Sequence, residues 1–491
     1  MAIAIDRELI EDINNPSFDV INYCLRKHEE EIPRLNMLFD YYMGQPHKIK
    51  ESAKEMPHEL DEIYVNNAKY VTDIMTGIEV GNPISYAPPK GKEIEEVQEA
   101  LDKMRINKHD KELVKGLSSM GIGYELHYLS LVPGTENETM PKVAWIDPRG
   151  MVLVVDDTVD REYLFAVRPR EKEKLDGDKY YEFTVYTANQ IIVYRSKEKT
   201  LVEGRAEEIS REEHYFGMVP VVEFRNNEEK QGDYEQQLSQ IDAYNLLQTE
   251  RIKDKKNFVK AMMILYGFKL PEEKPRETSG GQKIIEAPAK EDGADVGFAT
   301  NTLDETQTQV LADSILDDFH KTAYIPNLND ENFAGTQSGE AMKYKLLGLL
   351  LALSVKTGYL EDGIVRRLKL IENIVNIKGA NCDTDGTIIK FKVNLPFNRK
   401  DVIDQIKDSQ DFVPLLVSLG WLDDVDNPQS MLDMLREQQE ENMQRQKQLF
   451  GITGEDSHSD LEELDDEEDT SEPASVQEDE EDEKKKKGGK K

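Results

Sequence analysis

The spacing of apolar side chains divides this chain into stretches of different period. In the first hundred residues apolar positions recur at three-and-four spacing. That predicts helices over Leu9–Leu25, Ile32–Tyr42 and Asn66–Gly77, with stops at Gly44, Gly77 and Asn82-Pro83. One further helix is predicted from Glu93 to Met120. From Gly121 to Phe224 the period shortens to two, in short β-branched runs such as "YELHYLSLV", "MVLVV", "YEFTVYT" and "VPVVEF". Turn residues at Pro133-Gly134, Pro148-Arg149-Gly150 and Asp176-Gly177 separate them, which reads as antiparallel β structure.

Helical spacing returns over Asp233–Phe268 and Leu303–Ala323, on either side of a Pro/Gly/charge-rich insertion, Leu270–Thr302. A polar loop follows, "YIPNLNDENFAGTQ", and then the longest predicted helix, Ser338 to about Val375. Ser338 suits its N-cap and Glu340 its first turn. With no proline between Pro326 and Pro396 this helix can run about 57 Å at 1.5 Å per residue. A hairpin is predicted next, "NIKGANC" and "TIIKFKVNLP" joined by a turn at Asp383-Thr384-Asp385-Gly386. Two helices close the patterned region, one from near Asn398 and one capped by Asn427 with Pro428 at its first position, reaching about Phe450. The fold class expected is α+β.

Charge changes the picture more than composition does. The chain has 491 residues and a net charge of −36. From Glu455 onward it has seventeen acidic residues against six lysines and almost no apolar side chains, a composition expected to be disordered. That segment accounts for −11, so the other 454 residues keep −25. A duplex-gripping protein carries a basic face, so tight DNA binding of the ordinary kind is disfavoured. The two cysteines, Cys24 and Cys382, form no metal-like spacing and suit a reducing compartment. No basic-then-apolar leader pattern is visible at the N-terminus. The most apolar run, Leu346–Val355, is far short of the roughly 20 residues that cross a bilayer. A soluble chain made in a cytoplasm, without membrane contact, is expected.

Catalytic signals are weak. "DTDGT" at Asp383–Thr387 matches a dehalogenase-type phosphatase loop, but it sits late in the chain and reads better as a turn. The pairs Asp156-Asp157 and Asp423-Asp424 could hold a divalent ion, yet adjacent acids are expected by chance among 98. No phosphate-binding G-x-x-x-x-G-K-[ST] occurs, and the eight histidines form no i,i+4 pair. No catalytic residue, cofactor or metal site is assigned. "RIKDKKNFVK", Arg251–Lys260, is the most basic helical stretch before the tail. It is either a solvated face paired with Glu250 and Asp254 or a row of lysines facing a polyanion.

Four blocks, "YYMGQPHKI", "VNNAKYVTDIMTGIEVGNPISY", "VPVVEFRNNEEKQGDYEQQLSQIDAYN" and "SGEAMKYKLLGL", together resemble the portal proteins of tailed bacteriophages of the siphophage type, over roughly residues 15–450. The resemblance implies a homo-oligomeric ring, usually of about twelve subunits. The ring would sit at one capsid vertex of the virion, assembled in the host cytoplasm. Double-stranded DNA is packaged and ejected through its channel. The implied partners are the terminase large subunit, the major capsid and scaffolding proteins, and a head-completion connector protein. It also implies a division of this chain into a wing (1–232), a stem helix (233–268), a clip (269–302) and a second stem helix (303–322). A tunnel loop (323–337), a long helix with the wing hairpin (338–396), a crown (397–454) and the acidic tail (455–491) complete it. Asn327, Asn329, Asn332, Thr336 and Gln337 are then candidates to face DNA from the loop, and Lys253, Lys256 and Lys260 from the stem. The rival readings are a metal-dependent phosphatase or nuclease built on Asp383 or Asp156, and a monomeric interaction scaffold.

One expectation rests on composition alone. Truncation after Gly454 should leave the melting temperature and the oligomer size unchanged, because nothing in 455–491 has apolar periodicity to bury. A fall of several degrees in a thermal melt would show that the segment docks on the body.

Overall fold

The computed structural model describes residues 2–45, 63–132, 134–135, 138–259, 262–268, 284–289, 293–299, 305–327, 344–394, 399–409, 411–419, 422 and 428–449. The chain divides into two units, Met1–Asn398 and Arg399–Lys491. The first is mixed α and β, in agreement with the expected class.

Its first half alternates helices with a large sheet. Helices α1 (Phe18–Glu29), α2 (Ile32–Tyr42) and α3 (Asn67–Glu79) match the apolar spacing. Ser17 caps α1 by accepting from the Val20 amide at 3.4 Å, and Asn66 caps α3 by accepting from Lys69 at 2.9 Å. The first helix starts nine residues later than its periodicity suggested, because Asn14-Asn15-Pro16 interrupts it. The single helix expected over Glu93–Met120 is two, α4 (Glu95–Met104) and α5 (Ile106–Met120). Between them Arg105 takes φ 57°, a left-handed residue that ends one helix and re-aims the next.

Fourteen strands are described. Strand β1 (Ile3–Ile5) lies parallel to β5 (Val152–Asp156), which continues antiparallel through β6 (Tyr163–Glu173), β7 (Lys179–Tyr186), β8 (Gln190–Ser196) and β9 (Glu207–Glu213). A second sheet is β10 (Val221–Arg225), β3 (Ile122–Leu131) and β4 (Thr139–Ile146), all antiparallel. Strand β2 (Ser85–Ala87) pairs with β14 (Ile388–Lys390). The expected hairpin within 376–396 is therefore corrected. The turn at Asp385-Gly386 exists, but its strand finds a partner some three hundred residues upstream, since the residues before the turn are claimed by a helix end.

Helices α6 (Leu238–Val259) and α7 (Glu305–Thr322) pack on one another. The helix expected to reach Phe268 stops at Val259, and Met262–Tyr266 is instead strand β11. The run "MMILY" has only Ile264 and Tyr266 as strand formers, and its pairing with β12 (Ile284–Ala287) and β13 (Asp295–Ala299) from the insertion makes it a strand. The long helix α8 is Leu347–Ile377. Its proposed cap, Ser338, lies outside the described residues. The second unit holds α9 (Arg399–Asp408), α10 (Leu415–Leu419) and α11 (Pro428–Leu449).

Helix α8 is the spine of the first unit. Its C-terminal half shares a core with α4, α5 and β10 through Leu360, Ile364, Leu368, Ile371 and Phe224. Its N-terminal half shares another with α2, α3 and the roots of α6 and α7, through Leu349, Leu353, Ile241 and Phe319. Gly363 is the closest point of approach. A Cβ placed there would lie 2.3 Å from the ring of Phe224, which is fully buried. Alanine is the better helix former by about 1 kcal/mol, but a closed core cannot yield that distance. Gly363→Ala should therefore destabilise by about 1–3 kcal/mol in denaturant unfolding, the cost of overpacking. Unchanged or higher stability would mean that helix and sheet are less tightly engaged.

Candidate functional site

The elements expected to face DNA are the α6/α7 pair and the segment between α7 and α8. Arg251 of α6 is half-buried, and its Nη2 donates to Glu305 Oε1 at 2.5 Å and to Gln309 Oε1 at 3.0 Å, both on α7. Lys255 Nζ reaches the other Glu305 oxygen at 3.0 Å. Two cations of the basic stretch are thus tied across the helix pair, to an acid on the neighbouring helix. Lys253 is partly exposed on α6, and Lys256 lies on the same helix. Lys260 lies outside the described residues.

Of the loop candidates, Asn327 is half-buried just past α7. Asn329, Asn332, Thr336 and Gln337 lie outside the described residues. After α7 the backbone turns at Tyr324 with φ 57°, the Ile325 amide donates to His320 O at 3.1 Å, and the His320 ring meets Ile325 O at 3.1 Å. Ile325 and Leu346, on the two sides of 328–343, are both buried in the core that α2 and α3 share with α8.

Two buried charge clusters fix α8, and neither was assigned from the sequence. Arg367 is wholly buried, and its Nε lies 3.0 Å from both oxygens of Glu125 on β3. Its Nη2 lies 2.7 Å from Glu125 Oε2, and its Nη1 2.7 Å from Asp110 Oδ1 on α5. His109 Nε2 and His127 Nε2 sit 2.7 and 2.8 Å from the same Glu125 carboxylate. Burial by itself would raise the Glu125 pKa, but Arg367 and the two histidines reverse it and hold the group well below the usual carboxylate range. Burial raises Asp110, which Arg367 offsets only in part, and lowers His127.

Eleven residues earlier, about three turns and 16 Å along α8, Lys356 is buried between Glu79 of α3 at 3.0 Å and Asp233 at 2.9 Å. Burial opposes the Lys356 charge, and Asp233 and Glu79 more than restore it, so its pKa is raised. The visible signal was a charged residue inside an apolar stripe: Lys356 and Arg367 among leucines and isoleucines, Glu125 in "YELHYL" and Glu79 in "TGIEVG".

Asp383 and Asp156 are each held by neighbouring groups. Asp383 pairs with Lys92 at 2.8 Å, which holds its carboxyl below the ordinary value. Asp385 and Glu372 share Lys369, and Thr384 donates its amide to Glu372 at 2.9 Å and its hydroxyl at 2.5 Å. The turn is strapped to α8. Asp156 accepts from the Thr158 hydroxyl at 2.8 Å and the Glu162 amide at 3.0 Å, closing the β5–β6 turn. Asp423 and Asp424 lie outside the described residues. Among those described, no helix is long and apolar enough to cross a membrane.

Residues 21–445 match the family described as "Phage portal protein, SPP1 Gp6-like", and the chain belongs to that family of structural proteins. It is similar to the portal protein of Bacillus phage SPP1, 23% identical over 294 residues. That match takes in 57% of this chain and spans only 56% of the relative's length.

Removing the Arg367 charge should expose how much depends on it. Arg367→Met leaves Glu125 and Asp110 buried beside histidines alone, and should cost about 3–5 kcal/mol in chemical denaturation. A loss under about 1 kcal/mol would mean that water already solvates the cluster.

Proposed function

We propose that this chain is the subunit of a phage portal: a closed ring at one vertex of the capsid, through whose channel double-stranded DNA is packaged and later leaves. The observation that carries the reading is the family match across residues 21–445. About twelve copies are expected, docking the terminase large subunit during packaging and a head-completion connector afterwards. Capsid and scaffolding proteins would surround the ring, in a virion assembled in host cytoplasm.

In this reading residues 1–232 with 376–396 form the wing, α6 and α7 the stem, β11–β13 the clip, 323–337 the tunnel loop and α9–α11 the crown. Helix α8 is a strut that transmits load between wing and stem, and its buried Lys356 and Arg367 suit it to that role. Asn327, Asn329, Asn332, Thr336 and Gln337 would touch phosphates without gripping them. Arg251 and Lys255, held by Glu305, are withdrawn from that duty, leaving Lys253, Lys256 and Lys260 as the stem cations. A body carrying −25 would repel a duplex and let it slide.

Light scattering on the purified full chain tests the reading most directly. A ring of about twelve 56.3 kDa subunits should scatter near 700 kDa and show a central channel in negative stain. A monodisperse species at the mass of one chain, at low and moderate salt, would overturn it in favour of a monomeric scaffold.

A further inference from the structure

Arg366 and Arg367 are neighbours on α8 with opposite fates. Arg367 is surrounded by carboxylates. Arg366 is largely buried, stacks over the ring of Tyr163 at 3.7 Å, and has a buried Nε without a hydrogen-bond partner. Among the described residues no carboxylate comes within ion-pair range of it, in a chain that holds 98 acids. A guanidinium cannot shed its proton to escape burial, so Arg366 keeps its charge in this setting without a carboxylate to pair it.

Arg366 lines a cavity of about 280 Å³ between the β5–β6 turn, β10 and α8. Three further cations line it: Arg161 and Arg225, which open on the same space, and Lys230. Three acids oppose them, and none is well placed to serve Arg366. Glu223 is already taken by the Ala2 amide at 2.7 Å, the Tyr124 hydroxyl at 3.3 Å and Lys230 at 2.6 Å. Asp362 lies 3.6 Å from Arg225, with its side chain 70% exposed, so that pair is loose and screened. Asp160 is exposed at the rim. Arg225 in turn lies over Tyr359 at 5.2 Å, so two guanidinium planes are held against aromatic rings on facing sides.

We infer that this cavity is a binding site for a small oxyanion of the phosphate class, gripped by Arg366, Arg225 and Arg161. Guanidinium forks match phosphate oxygens, and aromatic stacking fixes the forks before the ligand arrives. The spare positive charge of the pocket is one unit, four cations against three carboxylates, so an anion would neutralise it. The site does not depend on the ring, the channel or the segments assigned to them.

The test is thermal unfolding of the full chain in inorganic phosphate against chloride at equal ionic strength. Phosphate also stabilises proteins by exclusion from their surface, but that effect does not saturate and touches every variant alike. The site adds a saturable component, a rise of about 2 °C at ten times the dissociation constant. Arg366→Gln and Arg225→Gln should remove it, and Arg161→Gln, at an exposed position that spares the fold, should weaken it at least threefold. Arg211→Gln, remote and paired with Glu208 at 2.8 Å, should keep it. A short DNA duplex in place of free phosphate tells the two sources apart: a saturable rise assigns a backbone phosphodiester, none assigns the free ion. The inference fails if wild type shows no saturable component, or if Arg161→Gln and Arg225→Gln retain it in full.

Discussion

A guanidinium buried in the middle of a long helix sets the terms for the rest of this fold. Arg367 cannot be neutral and cannot reach water, so Glu125 on β3 and Asp110 on α5 must stand where they do. That requirement fixes the register of α8 against the β10-β3-β4 sheet in a way that leucines could not. Apolar ridges on a helix can slip by a turn and repack at modest cost, whereas a slip here would strand one positive and two acidic groups in a dry interior. Gly363 acts in the same sense, one turn away. Only a missing side chain lets the helix approach Phe224 so closely, and only at that position.

Lys356 extends the constraint by three turns. It ties α8 to Glu79 at the end of α3 and to Asp233 at the start of the α6 region. One helix therefore carries two charge anchors on one face, the first at the root of the helix pair and the second inside the α/β body. Ile325 and Leu346 are buried in the core that α2 and α3 share with α8. Both anchors are buried, so α8 is held at one point to α5 and β3 and at the other to α3 and Asp233.

Much of this was legible in the sequence, and what was not has identifiable causes. Helix α2 has the bounds its periodicity gave, and eight of the fourteen described strands lie between Ile122 and Arg225, where the β region was expected. The mistakes lie where local signals are symmetric between alternatives. Arg105 has no side-chain property that announces a left-handed conformation, so α4 and α5 read as one helix. "MMILY" is apolar enough to continue α6, and its strand pairing is decided by Ile284–Ala287 and Asp295–Ala299, residues that polar flanks disguised. The partner of β14 is decided by a contact across some three hundred residues, which no window can contain. Of the candidate site, the resemblance supplied the segments, while the anchoring clusters showed only as charges inside apolar stripes, with partners that lie far away in the sequence.

The distribution of cations also changes the meaning of the net charge. Lys92, Lys230, Arg251, Lys356, Arg367 and Lys369 each hold a carboxylate within the described body, several of them buried. Positive charge is thereby consumed in holding elements together, and the surplus of acids is left to face solvent. An outer surface so composed repels a polyanion at long range and is screened beyond about 8 Å at physiological salt. The same internal commitment sets Arg366 apart: in a molecule that ties so many cations into its structure, this largely buried guanidinium stacks on Tyr163, faces a cavity and has no carboxylate within ion-pair range among the described residues.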